Sequence, residues 1–285
     1  FLLLAFSFLL LTLLLTLIPV KNSNLEIIAF DVGNADCFLI KTPENEHVMI
    51  DTGRFGYDGG KSQAEIIVLK YLKDKGIRNL DTIIVTHFDN DHCGGAVELM
   101  NSLKVKNIYV NDLEHASAAS KKIYDTARKN NVNLILAKNN QVVYDKNGLK
   151  ILNYLPSKFK DDNENSIITS LVYKNFKMLF TGDAGINSID SISGYLPENL
   201  TVLKVPHHGA KGGLDENILN KLNPKYSLIS VGENKFGHPN LYTLYLLKNT
   251  EILRTDVNNS IKIVVNKKGY RVLNFDISKK KYIKF

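Results

Sequence analysis

The sequence predicts an α/β protein, an αββα sandwich in which two β-sheets pack face to face and helices cover their outer faces. Two observations favour this architecture. Short segments rich in β-branched residues alternate with segments of helical periodicity, and the alternation runs through both halves of the chain. Because each sheet must bury at least one face, strands from the two halves are expected to stack as two sheets beneath helices. We expect one domain over residues 25–285.

The first half of the chain starts with three expected strands, which turn-forming residues separate: 25–32, 36–41 and 47–50. Helical and strand patterns then alternate. The expected helices span residues 64–72, 94–103 and 116–129, and the expected strands among them span 82–86 and 106–110.

The second half of the chain repeats this logic. A hairpin is expected from residues 167–173 and 176–180, which flank the short turn Lys174-Asn175. Further strands are expected, with helices between them, over residues 202–205, 227–231, 260–265 and 270–275. Interleaved helices and strands from both halves are what an α/β sandwich requires.

The N-terminal stretch from Phe1 to Pro19 contains no charged residue and is dominated by Leu and Phe. Its length is close to the ~20 residues that a helix needs to cross a bilayer core. A secretory signal peptide would instead need a basic start, a shorter apolar core and a small-residue cleavage site. We therefore expect a transmembrane segment or anchor over residues 1–20. The chain starts with Phe instead of Met, which is compatible with a fragment of a longer protein.

The bulk composition is that of a folded protein. Of the 285 residues, 44% are hydrophobic and 23% are charged, which excludes a chain that is mostly disordered. Two cysteines, neither of them in a CxxC pair, exclude a disulfide framework. The net charge of +7 includes a basic C-terminus around Lys279, Lys280 and Lys281, and it fits either polyanionic partners or a surface that is basic for solubility.

Metal-binding residue types are concentrated directly after the expected strand 82–86, in the run His87-Phe88-Asp89-Asn90-Asp91-His92. The end of a strand is where a rigid scaffold meets open space for ligands. Imidazole and carboxylate groups suit Zn²⁺, Mn²⁺ or Fe²⁺. A solvated acidic turn is the alternative, but two of only seven histidines fall here, beside two aspartates and the pair Gly94-Gly95. The run therefore predicts a metal site.

Three later segments have the same form, an apolar strand that ends in a group able to bind a metal. They end in Thr181-Gly182-Asp183, in Pro206-His207-His208-Gly209 and, more weakly, in Gly237-His238-Pro239. A single aspartate after a strand is more often a turn or helix cap. Adjacent histidines followed by glycine are rarer, and they strengthen the prediction because glycine permits a sharp turn beside the imidazoles.

The motifs His-x-Asp-x-Asp-His-x-Gly-Gly, Thr-Gly-Asp and His-His-Gly, in this order, resemble the metallo-β-lactamase superfamily and specifically the C-terminal domain of ComEC-type competence proteins. Further matching segments are residues 30–36, Asp51-Thr52-Gly53, Asn165-Ser166 and His238-Pro239. The similarity covers essentially all of residues 25–275. It implies the metallo-β-lactamase fold and a hydrolase domain over residues 25–285.

The resemblance also implies two divalent metal ions, Zn or Mn. Asp183 matches the carboxylate that bridges the two ions. The first ion would be held by His87 and Asp89, and the second by Asp91, His92 and one of the two adjacent histidines, His207 or His208.

The same resemblance implies roles around the metal ions. The other histidine of the pair would contact the scissile group or donate a proton, and His238 would lie on the substrate side or behind the ligands. The implied catalytic residues are Asp91, His208 and His238. Asp31, Asp36 and Asp51 would tie together the loops beneath the site.

This sequence departs from the family pattern at two ligand positions. Asp89 stands where many members have histidine, and Asn165 stands near the place of a further histidine ligand. More carboxylate and less imidazole make the first site harder, which favours Mn²⁺ there or a site that is partly empty. The opening turn carries Asn34 and Ala35 where ComEC-type proteins have glutamine and glycine.

The resemblance implies a metal-dependent phosphodiesterase, a DNase that acts during DNA uptake at the cell membrane, with an extracytoplasmic catalytic domain. Its partners would be single-stranded DNA or another phosphodiester, the membrane and other DNA-uptake components. Two alternatives stay open. One is a membrane-anchored phosphoesterase that acts on cell-envelope phosphodiesters, and the other is a non-catalytic metal-binding module of a DNA-uptake channel.

Overall fold

The computed structural model describes residues 24–56, 60–276 and 278–284. Within these residues, sixteen strands form two sheets, one of nine strands in the order β16-β15-β14-β1-β2-β3-β4-β5-β6 and one of seven in the order β13-β12-β11-β10-β9-β8-β7. The strands are β1 Leu25–Ala29, β2 Cys37–Lys41, β3 His47–Thr52, β4 Asn79–Ile84, β5 Lys104–Val110, β6 Asn133–Leu136, β7 Gln141–Lys146, β8 Leu149–Tyr154, β9 Ile168–Tyr173, β10 Phe176–Phe180, β11 Val202–Lys204, β12 Tyr226–Ile229, β13 Glu251–Arg254, β14 Ile261–Asn266, β15 Gly269–Asp276 and β16 Lys281–Lys284.

Short helices join these strands. In the described part of the chain they are α1 Leu69–Asp74, α2 Asn90–Cys93, α3 Ala96–Ser102, α4 Ala118–Lys129, α5 Ile186–Ser191, α6 Glu216–Leu222, α7 Leu241–Leu246 and α8 Thr255–Asn258. A π-helical turn, Ala64–Val68, leads directly into α1, and 3₁₀ turns occur at Asn163–Asn165, Pro206–Gly209 and Leu247–Asn249.

Three apolar clusters confirm the predicted layers. The central cluster joins the facing sides of the two sheets, where Phe38 of β2 meets Phe180 of β10 edge to face at 5.2 Å. A second cluster lies between the nine-stranded sheet and helices α1, α3 and α4, and a third lies between the seven-stranded sheet and helices α5 and α6. Both faces of each sheet are therefore covered, which is the arrangement of an αββα sandwich.

Strand β1 shows how the sequence specifies this arrangement. Its alternate residues Leu25 and Ile27 lie in the central cluster, while Ile28 points to the cluster beneath the helices. Because both of its faces are buried, the strand is apolar almost throughout instead of alternating with polar residues.

The expected membrane segment, residues 1–20, lies outside the described residues. Among the helices that are described, all are too short or too polar to cross a bilayer.

Sequence patterns missed five strands, four of them at the edges of the sheets and one, β8, next to an edge strand. The missed strands are β6, β7, β8, β13 and β16. They are short or mix lysine, asparagine and aspartate with apolar residues, as in the β7 sequence QVVYDK, so neither strict alternation nor a continuous apolar run marks them. Edge strands bury less of their surface, and their composition is accordingly less constrained.

Two sets of parallel strands direct their carboxyl ends toward the same region. Strands β3, β4, β5 and β6 are parallel in the larger sheet, and β10, β11, β12 and β13 are parallel in the smaller one. A hydrogen bond from Ile167 N to Thr86 O, 2.9 Å long, joins the two sheets at this edge. The loops that carry the predicted metal ligands leave the sheets here.

Gly95, in the predicted Gly94-Gly95 pair, is required by a close approach. A Cβ atom at this position would lie 2.5 Å from Thr52 O and 2.2 Å from Ala64 Cβ. We expect Gly95→Ala to lower the free energy of unfolding by roughly 1–3 kcal/mol, because the backbone of β3 must move to admit the methyl group. Urea denaturation measures this loss.

Gly194→Ala is the matched control, because a Cβ at Gly194 meets nothing within 4 Å. Its free energy of unfolding should stay within about 0.5 kcal/mol of the wild type. Equal stability of the two variants would show that the close approach at Gly95 does not constrain the fold.

Candidate metal centre

The predicted ligands follow the ends of different strands and meet in one place. His87 lies three residues beyond β4, and Asp91 and His92 lie in α2 just after it. Asp183 follows β10, and the adjacent histidines form the 3₁₀ turn after β11. The fold therefore brings both sheets to the same site.

Three groups of side chains in the described residues have the geometry of a metal site, and one of them consists of Asp36, Asp51 and His92. The candidate ligand atoms of His87, His92 and Asp183 all lie within 4.8 Å of one another, and so do those of Asp91, His92 and His208. His92 Nε2 is 3.1 Å from Asp183 Oδ1, and His208 Nε2 is 3.3 Å from Asp91 Oδ2. Since the groups share His92, they form one continuous cluster.

Buried polar atoms in this cluster lack the hydrogen bonds that such atoms normally make. Nε2 of His87, His92 and His208 and Oδ1 of Asp183 have no hydrogen-bond partner within the residues the structure describes. Three nitrogens and one carboxylate oxygen are the donor types that Zn²⁺ and Mn²⁺ accept. The residues present therefore fit divalent metal ions.

Each of these histidines uses its other ring nitrogen for support. His92 Nδ1 donates to Asp51 Oδ2 at 2.7 Å, and His208 Nδ1 donates to Ser230 O at 2.7 Å. His87 Nδ1 lies 3.2 Å from the hydroxyl of Thr86 and 3.3 Å from that of Ser166. With each Nδ1 engaged in this way, each Nε2 keeps a lone pair for a metal ion.

Asp51 has the supporting role that the resemblance implied. Its carboxylate accepts a 2.8 Å bond from Thr86 N and is 99% buried, so it fixes the end of β4 and the ring of His92 together. Asp51 also adopts a positive φ of 54°, which is unfavourable for a residue with a side chain and is common at functional sites.

The electrostatic field of the cluster is strongly negative around His92. Burial lowers the pKa of His92, but the carboxylates of Asp183 and Asp51 outweigh burial and raise it well above the usual value. Burial likewise opposes ionisation of Asp91, yet contact with His208 and the charge of His92 lower its pKa to about 2. A field that retains a proton on a buried imidazole also attracts a divalent cation, which competes with that proton.

The two adjacent histidines have different surroundings. His208 is 99% buried, whereas the side chain of His207 is 36% exposed and its Nε2 lies 3.6 Å from Asp183 Oδ2. Both adopt left-handed backbone conformations, with φ of 49° and 53°. This turn is held in place by Gly209, where a Cβ would come within 2.7 Å of Pro239 Cβ. The turn places the ring of His208 inside the cluster and the ring of His207 at its rim.

Asp89 and His238 lie at the margin. The side chain of Asp89 is 57% exposed, and its Oδ2 is 3.7 Å from His87 Nε2. The ring centroid of His238 is 5.5 Å from that of His207, and Phe236 stacks on its other side at 5.7 Å. Burial lowers the pKa of both His207 and His238, which favours the neutral form of each imidazole.

Lys204 is a buried residue of the site that the sequence patterns did not identify. Its fully buried ammonium forms an ion pair with Asp36, donates to Gly182 O at 2.8 Å and lies 3.8 Å from Asp183 Oδ1. The available signal was a lysine inside the apolar strand Val202–Lys204, a position where a charge needs a partner.

Asn165, at one of the positions that depart from the family, is used for loop structure. Its side-chain amide exchanges hydrogen bonds with the backbone of Phe159 and donates to Asp161 O. The adjacent Ser166 faces the site instead, where its hydroxyl accepts a 3.2 Å bond from Asp183 N. Serine therefore helps to position His87 and Asp183.

A cleft of about 630 Å³ opens beside the cluster. Asn90, Asp91, Lys235 and Phe236 are among the residues that line the cleft. Arg54 and Glu233 also line it, so cationic groups face a solvent-accessible space next to the candidate ligands.

Comparisons with known proteins agree with this geometry. The family model of the metallo-beta-lactamase superfamily matches residues 30–233. "ComE operon protein 3" of Bacillus subtilis is 29% identical over 264 residues, which cover 87% of this chain and 34% of that protein. "Competence protein ComA" of Neisseria gonorrhoeae is 24% identical over 265 residues, which cover 91% of this chain and 35% of that protein. The predicted ComEC-type resemblance is confirmed, and the chain spans about a third of these relatives' length.

A solved structure shares the fold at low sequence identity. CmlA, a diiron beta-hydroxylase from Streptomyces venezuelae, matches with a TM-score of 0.54 at 9% identity and covers 87% of this chain and 55% of its own. At this identity the likeness concerns the fold alone.

Removing the buried ammonium tests the ion pair of Lys204. We expect Lys204→Met to lower the free energy of unfolding by about 3–5 kcal/mol, because the carboxylate of Asp36 then stays buried without its cation. Adding Asp36→Leu should recover part of this loss, and a double-mutant cycle from urea denaturation measures the coupling.

Lys150→Met serves as the control, since Lys150 pairs with Asp145 at 3.9 Å on the surface. An exposed pair of this kind contributes about 0–1 kcal/mol. A loss in Lys204→Met no larger than in this control would contradict a structural role for the buried pair.

Proposed function

The chain belongs to the metallo-β-lactamase superfamily and is a metallo-hydrolase related to competence proteins, and from this premise we propose that it is a phosphodiesterase that cleaves single-stranded DNA during uptake at the membrane. The observation that carries the proposal is the cluster of buried ligand atoms of His87, His92, His208 and Asp183, which make no well-formed hydrogen bond among the described residues and lie at the edge of an open cleft whose lining includes Arg54 and Lys235. Metal ions bound by such a cluster, together with the cations in the cleft, would attract an anionic substrate.

We assign the ligands of two ions within this proposal. His87 and Asp89 would hold the first ion, Asp91, His92 and His208 would hold the second, and Asp183 would be available to both. Support for His208 over its neighbour comes from its burial and from the 3.3 Å contact with Asp91. Support for the bridging position comes from Asp183 Oδ1, which is 3.1 Å from His92 Nε2 and belongs to the same group as His87.

Two divalent ions bound here would lower the pKa of water and offset the charge of a phosphodiester in hydrolysis. The protein's own residues then orient the substrate. Arg54 and Lys235 attract the phosphate to the cleft, since both line it. The neutral rings of His207 and His238 face the rim, where they can hydrogen-bond the leaving oxygen or relay its proton. Zn²⁺ and Mn²⁺ both suit the donor set, and the carboxylate of Asp89 favours Mn²⁺ in the first site.

The names of the relatives support DNA uptake at the membrane as the proposed biological role. Two of them carry competence names, and the chain matches only about a third of each, so DNA uptake is proposed for this chain and not transferred from them. In this proposal, residues 1–20 anchor the protein in the cell membrane, and the catalytic domain lies outside the cytoplasm.

A cleavage assay tests the proposal directly. The purified chain should cleave single-stranded DNA when Mn²⁺ or Zn²⁺ is supplied, and a chelator should stop it. Asp91→Ala should lower the rate by at least about 100-fold, because the cluster loses a carboxylate ligand. Gel analysis of a labelled oligonucleotide measures the rate.

Asp145→Ala is the matched control, because Asp145 lies in β7 near a hairpin tip at the opposite edge of the sheets. It should retain full activity. Undiminished cleavage by Asp91→Ala, or in chelator, would refute the metal mechanism. Hydrolysis of bis-p-nitrophenyl phosphate without any cleavage of DNA would instead favour an envelope phosphoesterase.

The support given to His92 by Asp51 has its own test. Asp51→Asn should weaken metal binding by about 10- to 100-fold, because the amide no longer raises the basicity of the His92 ring. Competition with a chromophoric chelator measures the affinity. Asp81→Asn is the control, since Asp81 also accepts a backbone bond, from His47 N at 3.0 Å, but lies in the N-terminal half of β4. Equal affinities in the two variants would contradict the assignment.

A further inference from the structure

Helix α7 presents an unusual amount of apolar surface to solvent. Leu241, Tyr242 and Tyr245 are 82%, 49% and 58% exposed, while Thr243 and Leu247 on the other side are buried. Large apolar side chains that cluster on a surface mark an interaction site more often than isolated ones do.

This helix lies against the candidate metal centre. Asn240 N donates to Gly209 O at 2.9 Å, and Thr243 Oγ1 donates to Ala210 O at 3.0 Å. Both acceptors belong to the turn that carries the adjacent histidines. The exposed side of α7 therefore begins next to the rim of the metal centre.

A third aromatic ring connects with the cleft itself. Phe236 is 65% exposed, lines the cleft together with Asp91, and stacks on His238. Phe236, Tyr242 and Tyr245 thus occupy one segment of ten residues on either side of His238. We call these three rings, together with Lys235 and Lys248, the aromatic surface.

Cations accompany the rings of the aromatic surface. Lys248 Nζ lies 4.1 Å from the ring centroid of Tyr245, and Lys235 Nζ lies 5.9 Å from that of Phe236. Aromatic faces beside ammonium groups match the two parts of a nucleotide, a base that stacks and a phosphate that carries charge.

We propose that the aromatic surface binds a single-stranded polynucleotide and leads it into the cleft. The proposal rests on the proposed function and names the surface that binds its single-stranded substrate. Tyr242 and Tyr245 stack on bases away from the metal centre, Phe236 stacks on a base beside it, and the lysines contact phosphates. A single strand is favoured over duplex because only unpaired bases offer free faces to the rings.

Binding without metal tests the aromatic surface separately from catalysis. In chelator, where no cleavage occurs, fluorescence anisotropy of a labelled oligothymidine of roughly 12 nucleotides reports affinity, within the site sizes of such surfaces. Tyr242→Ala and Tyr245→Ala should each bind about 5- to 100-fold more weakly than the wild type, and Tyr245→Phe should bind normally because it keeps the ring. Circular dichroism and thermal melting check that each variant folds.

Tyr195→Ala is the matched control. Tyr195 is 58% exposed, as Tyr245 is, but lies between α5 and the start of β11, at the edge of the sheet away from the metal centre. Its affinity should equal that of the wild type. In addition, Lys235→Gln with Lys248→Gln should reduce the slope of log affinity against log salt by about 0.7 for each phosphate contact that is lost.

Several results would overturn the inference. It is wrong if the wild type does not bind the oligonucleotide, if Tyr242→Ala and Tyr245→Ala bind as tightly as Tyr195→Ala, or if duplex of the same length binds equally well. It is also wrong if these tyrosines are needed for binding phosphatidylglycerol vesicles and not DNA. Binding that depends on the tyrosines, without cleavage when metal is restored, would leave the surface intact and refute the proposed nuclease function.

Discussion

The compensation of buried charge is the constraint on which the rest of the site depends. Asp36, Asp51 and Asp183 are all at least 96% buried, and a buried carboxylate is stable only beside cations and hydrogen-bond donors. Lys204 forms an ion pair with Asp36, and His92 lies between Asp51 and Asp183. Asp183 Oδ1 is 3.1 Å from His92 Nε2 and 3.8 Å from Lys204 Nζ, but neither contact has the geometry of a hydrogen bond, so this oxygen can still accept a divalent cation. The affinity of the centre for divalent cations is therefore a consequence of how its charges are buried.

The same charges hold the two sheets together. Asp36 precedes β2 of the larger sheet, while Lys204 belongs to β11 of the smaller one, so their ion pair crosses the interface. A hydrogen bond of 2.7 Å from Ser230 Oγ to Ala35 O crosses it nearby. The buried ion pairs and hydrogen bonds that join the two sheets thus also surround the candidate metal ligands. The relative position of the two sheets determines the distances between ligands that come from different sheets.

Sequence patterns identified candidate site residues where the evidence is local, at the ends of strands. They could not identify residues whose role depends on a contact with a residue far away in the sequence. The run from His87 to His92 and the later Asp183 follow apolar strands closely, so a strand pattern with its terminal residues was enough to select them as candidate ligands. Lys204 was missed because its partner Asp36 is remote in sequence. The sequence also left His207 and His208 as equivalent candidates, since only a backbone turn with two positive φ angles separates a buried ring from an exposed one.

Strand β1 has a consequence for the order in which the protein is made. It pairs with β2 on one side and, on the other, with β14, so that Ala29 meets Ile261 more than 200 residues later in the chain. During synthesis from the N-terminus, this side of β1 remains an open edge until β14 has left the ribosome, although most of the apolar core already exists by then. Open edges recruit other strands. The edge of β1 is therefore closed only by a segment from the C-terminal part of the described chain, and a chain that lacks β14 would expose it.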